Sequence, residues 1–446
     1  MYIKITSFLV LGLGKSGYSV SELLIKKGAM VYIYDQTTNE IIQKNIKLLE
    51  EIGCEYASDI TSTISKCDVV VVSPGVSVVN NVVLEARKQG KRIIGELELA
   101  SYLLLNPIVA VTGTNGKTTT CSLIGHILNE SQINAKVVGN IGTPLSSVVD
   151  KVSSEEVLVC EVSSFQLETA CRFAPHISVI LNITPDHLER HFNMNNYIYL
   201  KSKLILTLKE SEYACLNYDD ENVRSLSSKT LGKIVWFSKT KKVEGVYLEN
   251  NNIYFFDEKV ATLSDITLKG EHNTLNVLST IAVLKLLGLK NEEIVNGLKT
   301  FKGVKHRIEQ VNVVNGITFY NDSKATNPDA TLKAVESINN NLFLILGGYD
   351  KGLDYTEFFR AIKEKEYIKQ IILMGETSEK MYNTCVQVGI KNVMVIKDFT
   401  LAIKVAYISA KSGDNILLSP ATSSFDQFTG YEERGERFIE IASTLS

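Results

Sequence analysis

The run Thr112-Gly113-Thr114-Asn115-Gly116-Lys117-Thr118-Thr119 follows an apolar stretch and precedes a helical pattern, the setting in which a glycine-rich turn holds phosphate. Backbone N–H groups of such a turn point at the anion, Lys117 reaches the β- and γ-phosphates, and the Thr118 hydroxyl meets Mg²⁺. Val111 stands where the strict pattern has its first glycine, which marks a variant of the phosphate loop. An earlier turn, Gly12-Leu13-Gly14-Lys15-Ser16-Gly17, has G-x-G-x-x-G spacing, and Asp35 ends the next strand about twenty residues on. That pattern suits a dinucleotide, because glycines permit close backbone approach and an acid can hold a ribose. Gly75, in Ser73-Pro74-Gly75-Val76, follows the third strand and borders the same cleft. For either turn the alternative is a tight connection that holds no ligand.

Two phosphate turns in one chain suggest two nucleotides, one of them ATP and the other part of the substrate. Metal ligands are then expected near Thr118. Glu161 ends a buried strand, where a carboxylate is costly to desolvate unless it is paired or coordinates a cation. His187 also follows a strand, in Asn182-Ile183-Thr184-Pro185-Asp186-His187. On placement alone each is equally well an N-cap or a loop residue.

The elements that must carry these residues are legible as alternating apolar runs and helical segments. Four early strands, Phe8 to Leu11, Met30 to Tyr34, Asp68 to Val72 and Arg92 to Ile94, predict a parallel α/β sheet. A second α/β series starts at Ile108 to Val111, continues through a helix over Thr118 to Glu130, and has later strands at Val157 to Cys160 and Ile177 to Leu181. Between Trp236 and Leu263 the alternation and Asn-Asn punctuation predict an antiparallel meander, with the Lys239-Thr240-Lys241-Lys242 cluster as a solvated hairpin. A helix from Asn273 to Leu287 ends at Gly288. The third series has strands at Ile317 to Tyr320, Leu342 to Leu346, Gln370 to Leu373, Val393 to Ile396 and Ile416 to Leu418. At ~150 residues per domain, 446 residues make about three. The chain therefore reads as α/β in three domains. These are a Rossmann-like domain (1–104), a central P-loop ATPase-like domain with a mostly parallel sheet and a small antiparallel meander (105–303), and a C-terminal Rossmann-like α/β domain (304–446).

Composition excludes several classes. With 45% hydrophobic and 22% charged residues and only 7 Pro, the chain is neither disordered nor fibrous. A net charge of −3 gives no basic field to recruit nucleic acid, so anions must be bound locally. Seven cysteines without C-x-x-C spacing fit neither a disulfide framework nor a zinc site and point to a reducing cytoplasm. The apolar run from Ile3 to Leu13 leads into the first glycine turn and reads as a strand rather than a signal peptide. No apolar stretch approaches the ~18 residues that span a bilayer.

Taken together, the Thr112 to Thr119 turn, Gly139-Asn140-Ile141-Gly142, Glu161-Val162-Ser163-Ser164-Phe165-Gln166-Leu167, the Asn182 to His187 string, Gly270-Glu271-His272-Asn273 with Asn276, Asn321-Asp322-Ser323-Lys324-Ala325-Thr326-Asn327, and Ser419-Pro420-Ala421 through Phe428 resemble the Mur ligases of peptidoglycan synthesis. The resemblance spans essentially the whole chain in the right order. Gln166 and the Asn321 to Asn327 string favour the members that add D-glutamate. The resemblance implies an ATP-dependent amide ligase joining D-glutamate to UDP-N-acetylmuramoyl-L-alanine through an acyl phosphate and a tetrahedral intermediate. It further implies a cytoplasmic monomer with a mobile C-terminal domain, and the charge balance adds that no nucleic-acid partner is expected. A related ligase adding another amino acid is the alternative.

By the same resemblance, Gly113, Thr114, Asn115, Gly116, Lys117, Thr118 and Thr119 would hold ATP, with Asn273 and Asn276 near adenine, Asp322 on ribose, and Arg307 and Lys324 on phosphate. Two Mg²⁺ ions would be held by Thr118, Glu161, His187 and Lys201, the last as a CO₂-derived carbamate. Spacing alone reads Lys201 as a surface-helix lysine, and Asn273 equally as a helix cap. The UDP substrate would use Gly14, Lys15, Ser16, Asp35, Gln36, Gly75, Asn140 and His187. D-glutamate would use Thr326, Lys351, Ser424, Phe425 and Tyr431, with Lys351 as the charge expected for a dicarboxylic substrate. Phe425 stands where relatives often have Leu and Tyr431 where Phe is common. Two readings outside this family stay open on the motifs alone: a nicotinamide-dependent oxidoreductase, from the first turn with Asp35, and a P-loop ATPase that moves protein or nucleic acid.

Overall fold

The computed structural model describes residues 3–37, 39–140, 142–268, 270 and 272–445. Ile141, Glu271 and the side chain of His272, each inside a motif quoted above, lie outside the described residues. The chain forms two compact units, the first running to Thr267 and including Thr274–Phe301, the second comprising Leu268–Asn273 and everything from Lys302 onward. Two sheets belong to the first unit and one to the second.

The first sheet contains β1 (Ser7–Leu11), β2 (Met30–Tyr34), β3 (Glu55–Tyr56), β4 (Val69–Val72) and β5 (Arg92–Gly95), all parallel, in the order β3-β2-β1-β4-β5. Alternation along the strands splits the core in two. Phe8, Val10, Val31, Ile33, Val69 and Val71 pack on one face, and Leu9, Leu11, Tyr32, Val70 and Val72 on the other. Burial of both faces explains why these strands read as continuous apolar runs. Strand order reverses between β1 and β4, which opens a cleft at their carboxyl ends.

The second sheet has β6 (Ile108–Thr112), β7 (Ala135–Gly139), β8 (Val157–Glu161), β9 (Ile177–Ile180), β10 (Tyr213–Asn217), β11 (Lys233–Ser238), β12 (Gly245–Glu249), β13 (Asn252–Phe255) and β14 (Glu258–Thr262). Their order is β14-β13-β12-β11-β10-β9-β6-β8-β7. Strand β6 thus lies between β8 and β9, and the turn after it falls at a second switch point. The expected antiparallel meander is present over β12–β14 but does not extend back to β11. Strands β11 and β12 pair in parallel, and antiparallel pairing starts only at β12–β13. The Lys239 to Lys242 cluster is accordingly no hairpin but a return loop, held by Asp219, which accepts from Ser238 Oγ (2.6 Å), Lys239 N (2.8 Å) and Thr240 Oγ1 (2.6 Å).

The second unit holds β15 (Glu309–Val314), β16 (Ile317–Asn321), β17 (Leu342–Gly347), β18 (Ile368–Met374), β19 (Val393–Val395) and β20 (Asn415–Leu418) in the order β15-β16-β20-β17-β18-β19. Only the β15–β16 edge pair is antiparallel among them. Leu342, Leu344 and Leu346 pack on one face, with Phe343 and Ile345 on the other. All seven cysteines are free, and six are buried, Cys171 being the exposed one. Among the described residues no helix is long and apolar enough to cross a membrane.

Candidate active site

The first glycine turn is built as its spacing requires. Gly12 has φ +85°, and its amide donates to Tyr34 O at 2.9 Å. A Cβ on Gly17 would stand 1.8 Å from Gly12 O, so this position admits only glycine if the helix Lys15–Lys26 is to seat against the turn. Gly14 is the N-cap of that helix, with Lys15 exposed and Ser16 half-buried in its first turn. Asp35 accepts from Leu13 N (2.6 Å) and Thr37 N (2.7 Å), so its carboxylate braces the turn. A cleft of about 180 Å³ opens here, lined by Gly12, Asp35, Gln36, Gly75, Val76 and Asn80 among others. Gln36 Oε1 accepts from Asn80 Nδ2 across it at 3.1 Å. Three of the residues expected for the UDP substrate, Asp35, Gln36 and Gly75, therefore share one cavity wall.

The second turn is clamped by the end of the neighbouring strand. Asn182, just after β9, accepts from Asn115 N (2.8 Å) and donates to Asn115 O (3.1 Å), while its own carbonyl accepts from Thr114 N (2.9 Å). Gly116 has φ +88°, and a Cβ there would lie 2.2 Å from Asn276 Oδ1. Lys117 opens the helix Lys117–Glu130 and folds back over the loop, its Nζ donating to Gly113 O (2.8 Å) and Thr114 O (2.9 Å). Thr118 and Thr119 are buried in the first helical turn. The Thr114 hydroxyl meets Tyr197 OH at 3.2 Å.

Lys201 is 1% exposed on the helix Met194–Leu206, so it is not the surface lysine its spacing suggested. Its Nζ donates to the same Gly113 carbonyl at 2.9 Å and stands 4.6 Å from the Tyr197 ring centroid. Burial, reinforced by the Lys117 ammonium, pushes the Lys201 amine well below its ordinary value despite the opposing pull of Asp186 and Glu161. Glu161, paired in register with Val111 at the end of β8, accepts from Asn140 Nδ2 at 2.9 Å through Oε1. Its Oε2 is buried without a hydrogen-bond partner. A bare carboxylate oxygen in such a place fits a cation. His187 lies in the left-handed region at φ +53°, caps the one-turn helix Leu188–His191, and keeps an exposed ring packed on Phe165 at 4.8 Å. Among the described residues no group of three or more His, Cys, Asp or Glu side chains is gathered for a metal, so a metal set here needs Thr118 or Lys201 as well.

In the second unit Asp322 is buried at the end of β16, accepting from Ser419 Oγ (2.6 Å) and Ile308 N (3.2 Å). Burial pushes its carboxyl up to about 7, against the Ser419 hydrogen bond and the nearby Arg307 charge. Arg307 is half-buried between His306 (φ +60°) and Ile308 (φ +46°), two non-glycine residues in the left-handed region. Lys324 Nζ lies 5.1 Å from the Tyr431 ring centroid, and Lys351 Nζ donates to Thr326 O at 3.1 Å. Ser424 is buried, with its carbonyl accepting from Phe428 N, while Phe425 is 65% exposed. Asn273 is buried, and its amide donates to Gly270 O at 3.0 Å.

Sequence reading passed over Arg434, which is 1% exposed and donates to Ser323 Oγ (3.0 Å), Ser323 O (2.9 Å) and Thr422 O (3.2 Å). Its Nη1 and the nearby Ser423 Oγ are buried without hydrogen-bond partners, and burial lowers the guanidinium to about 9. Nothing in the helical pattern from Tyr431 distinguishes this arginine from a solvated one. Arg190 and Glu168 were passed over for the same reason.

Three sequence families match successive parts of the chain: the MurD-like N-terminal domain of Mur ligases over residues 6–95, the Mur ligase middle domain over 111–284, and the Mur ligase glutamate ligase domain over 306–422. The UDP-N-acetylmuramoylalanine–D-glutamate ligase of Clostridioides difficile is 41% identical, covering 100% of both chains. That of Pelotomaculum thermopropionicum is 41% identical over 98% of this chain and 97% of its own. Among solved structures, MurF of Acinetobacter baumannii superposes with a TM-score of 0.64 at 16% identity, covering 97% of this chain and 93% of its own. MurC of Thermotoga maritima gives 0.62 at 19%, covering 98% and 99%. The structural likenesses carry the α/β fold and the full-length relatives carry the kinship: this chain belongs to the Mur ligase family.

Proposed function

We propose that the protein is an ATP-dependent ligase that joins D-glutamate to UDP-N-acetylmuramoyl-L-alanine, with functional domains at 1–104, 105–303 and 304–446. The names of the full-length relatives support the substrates. The observation that carries the chemistry is Lys201, buried and donating to the Gly113 carbonyl that Lys117 also takes, within a phosphate loop whose neighbouring strand ends in the half-satisfied Glu161.

A carboxylate is a poor electrophile, and transfer of the ATP γ-phosphoryl group to the substrate's alanine carboxylate makes a good leaving group. The D-glutamate nitrogen then attacks the carbonyl carbon, the tetrahedral intermediate expels phosphate, and the amine loses its proton. Lys117 serves the transferring phosphate, because a fixed cation beside developing charge acts most strongly where water is excluded. It must first leave its two loop carbonyls, which hold it until phosphate takes their place. The cleft at Asp35, Gln36 and Gly75 takes the UDP end, with Gly14, Lys15, Ser16, Asn140 and His187. Asn276, Asn273, Asp322, Lys324 and Arg307 serve ATP, while Thr326, Lys351, Ser424, Phe425 and Tyr431 serve D-glutamate.

Glu161 fits Mg²⁺ through its bare oxygen, and two such ions would be held by Glu161 and Thr118 on one side and by His187 on the other, with a modified Lys201 as a further ligand. Bound there, the metal ions would supply charge neutralisation for phosphoryl transfer. A neutral Lys201 amine can add to CO₂: the N–C bond forms, one C=O bond becomes C–O⁻, and the nitrogen proton goes to water. Burial that favours the neutral amine supports this modification. With the alanine carboxylate enriched in heavy oxygen, one labelled atom should appear in the released phosphate. Phosphate free of label would contradict the acyl-phosphate route.

A further inference from the structure

The one-turn helix that His187 begins also carries Arg190, whose Nε, Nη1 and Nη2 all donate to fixed partners. Its Nε and Nη2 donate to Glu168 Oε1 (3.0 Å) and Oε2 (2.6 Å) in a two-pronged ion pair. The same Nη2 donates to Pro74 O (3.1 Å) and Val76 O (3.0 Å), and Nη1 reaches Gly75 O at 3.4 Å. Phe165 lies under the group, its centroid 4.5 Å from Cζ. Glu168 Oε1, the oxygen that accepts from Arg190 Nε, also has His191 Nδ1 at 3.3 Å, and His191 Nε2 meets Ser164 Oγ at 2.9 Å.

Three consecutive carbonyls turned toward one guanidinium define the path of the loop after β4. Gly75 and Val76 of that loop are also a wall of the cleft that ends β1. The side chain therefore ties the wall of the first cleft to the turn that carries His187 and, through Glu168, to the helix Ser164–Glu168 that follows Glu161. A lysine could keep the charge but has no planar fork to span a carboxylate and a row of carbonyls at once. The partial burial of the pair, 16% and 5% side-chain exposure, removes it from the class of exposed ion pairs that contribute little.

We propose that Arg190 is a positioning residue for the nucleotide-sugar substrate: with Glu168 it sets the 74–76 loop, and so the shape of the cleft and its registry with the phosphate loop. This rests on the assignment of that cleft to UDP-N-acetylmuramoyl-L-alanine. Calorimetric titration of wild type, Arg190→Ala, Arg190→Lys and Glu168→Gln with UDP-N-acetylmuramoyl-L-alanine and, separately, with ADP tests it, alongside KM and kcat for each substrate. Arg190→Ala should weaken the UDP substrate about ten-fold or more and raise its KM alike, with ADP affinity changed less than about two-fold. Arg190→Lys and Glu168→Gln should fall between. Unchanged affinity for the UDP substrate in Arg190→Ala overturns the inference. So does equal loss of both ligands in the milder Arg190→Lys and Glu168→Gln, which would mark a general packing role. Wild-type protein that binds ADP but not the UDP substrate overturns the functional reading, and this inference falls with it.

Discussion

Lys117 and Lys201 reach one carbonyl from different helices, yet their environments assign them different chemistry. Lys117 Nζ rests on two loop carbonyls, and on the proposed phosphate role Lys117→Ala should cut ATP turnover by the ~3–4 kcal/mol typical of one lost transition-state contact, measured as phosphate release. Lys201 is sealed and biased toward the neutral amine, so Lys201→Ala should be nearly inactive and partly restored by formate or acetate filling the vacated space. Full activity without added acid would show that neither the lysine nor its carbamate is needed. Asp322 offers a pH test. Its folded-state value of about 7 exceeds the ordinary 3.8, so between those values folding takes up a proton. Its contribution to stability then falls as pH rises through that window and is level above it. Asp322→Asn should flatten the decline in melting temperature over the same range, followed by calorimetry. At this scale the sequence disclosed residue types and motif positions but not partners. Nothing in it shows that both Asp35 oxygens brace backbone amides, that Glu161 keeps one oxygen bare, or that Lys201 is buried, because each depends on contacts far along the chain.

The glycine turns were readable as elements because their geometry is local. Gly17 meets Gly12 only five positions away, and a Cβ there would overlap a backbone oxygen that cannot move aside. Gly17→Ala should therefore cost at least the ~1–3 kcal/mol of a serious overpacking and abolish binding of the UDP substrate. Gly14→Ala, with open space around it, should melt close to wild type. Strands buried on both faces announced themselves as apolar runs, and β1, β2, β4, β6, β8, β9, β16, β17, β18 and β20 were found in this way. Strands β5 and β19 were read as well; of those missed, β3 is two residues long, β7 and β15 are sheet edges with half-exposed positions, and β10 is an interior strand with only the short Ala214-Cys215-Leu216 run between Tyr213 and Asn217. The parallel pairing of β11 with β12 was hidden because alternation reports which face is buried, not the direction of the partner strand.

For the whole molecule, length and alternation gave an α/β chain with three sheets, and the two compact units add that the first two sheets share one body. That body contains both glycine turns, which separates the functional readings by simple linkage: a ligand at a hundred times its Kd stabilises its host by about 2.7 kcal/mol. UDP-N-acetylmuramoyl-L-alanine and ATP should each raise the melting temperature, and NAD should not. A shift with NAD alone would favour the oxidoreductase reading of the first turn. The central claim is tested most directly by phosphate release with ATP, Mg²⁺ and UDP-N-acetylmuramoyl-L-alanine, offering D-glutamate, L-glutamate and a diamino acid in parallel. Turnover with D-glutamate alone is the predicted result. Turnover that prefers another amino acid, or ATP hydrolysis indifferent to all three, would contradict it.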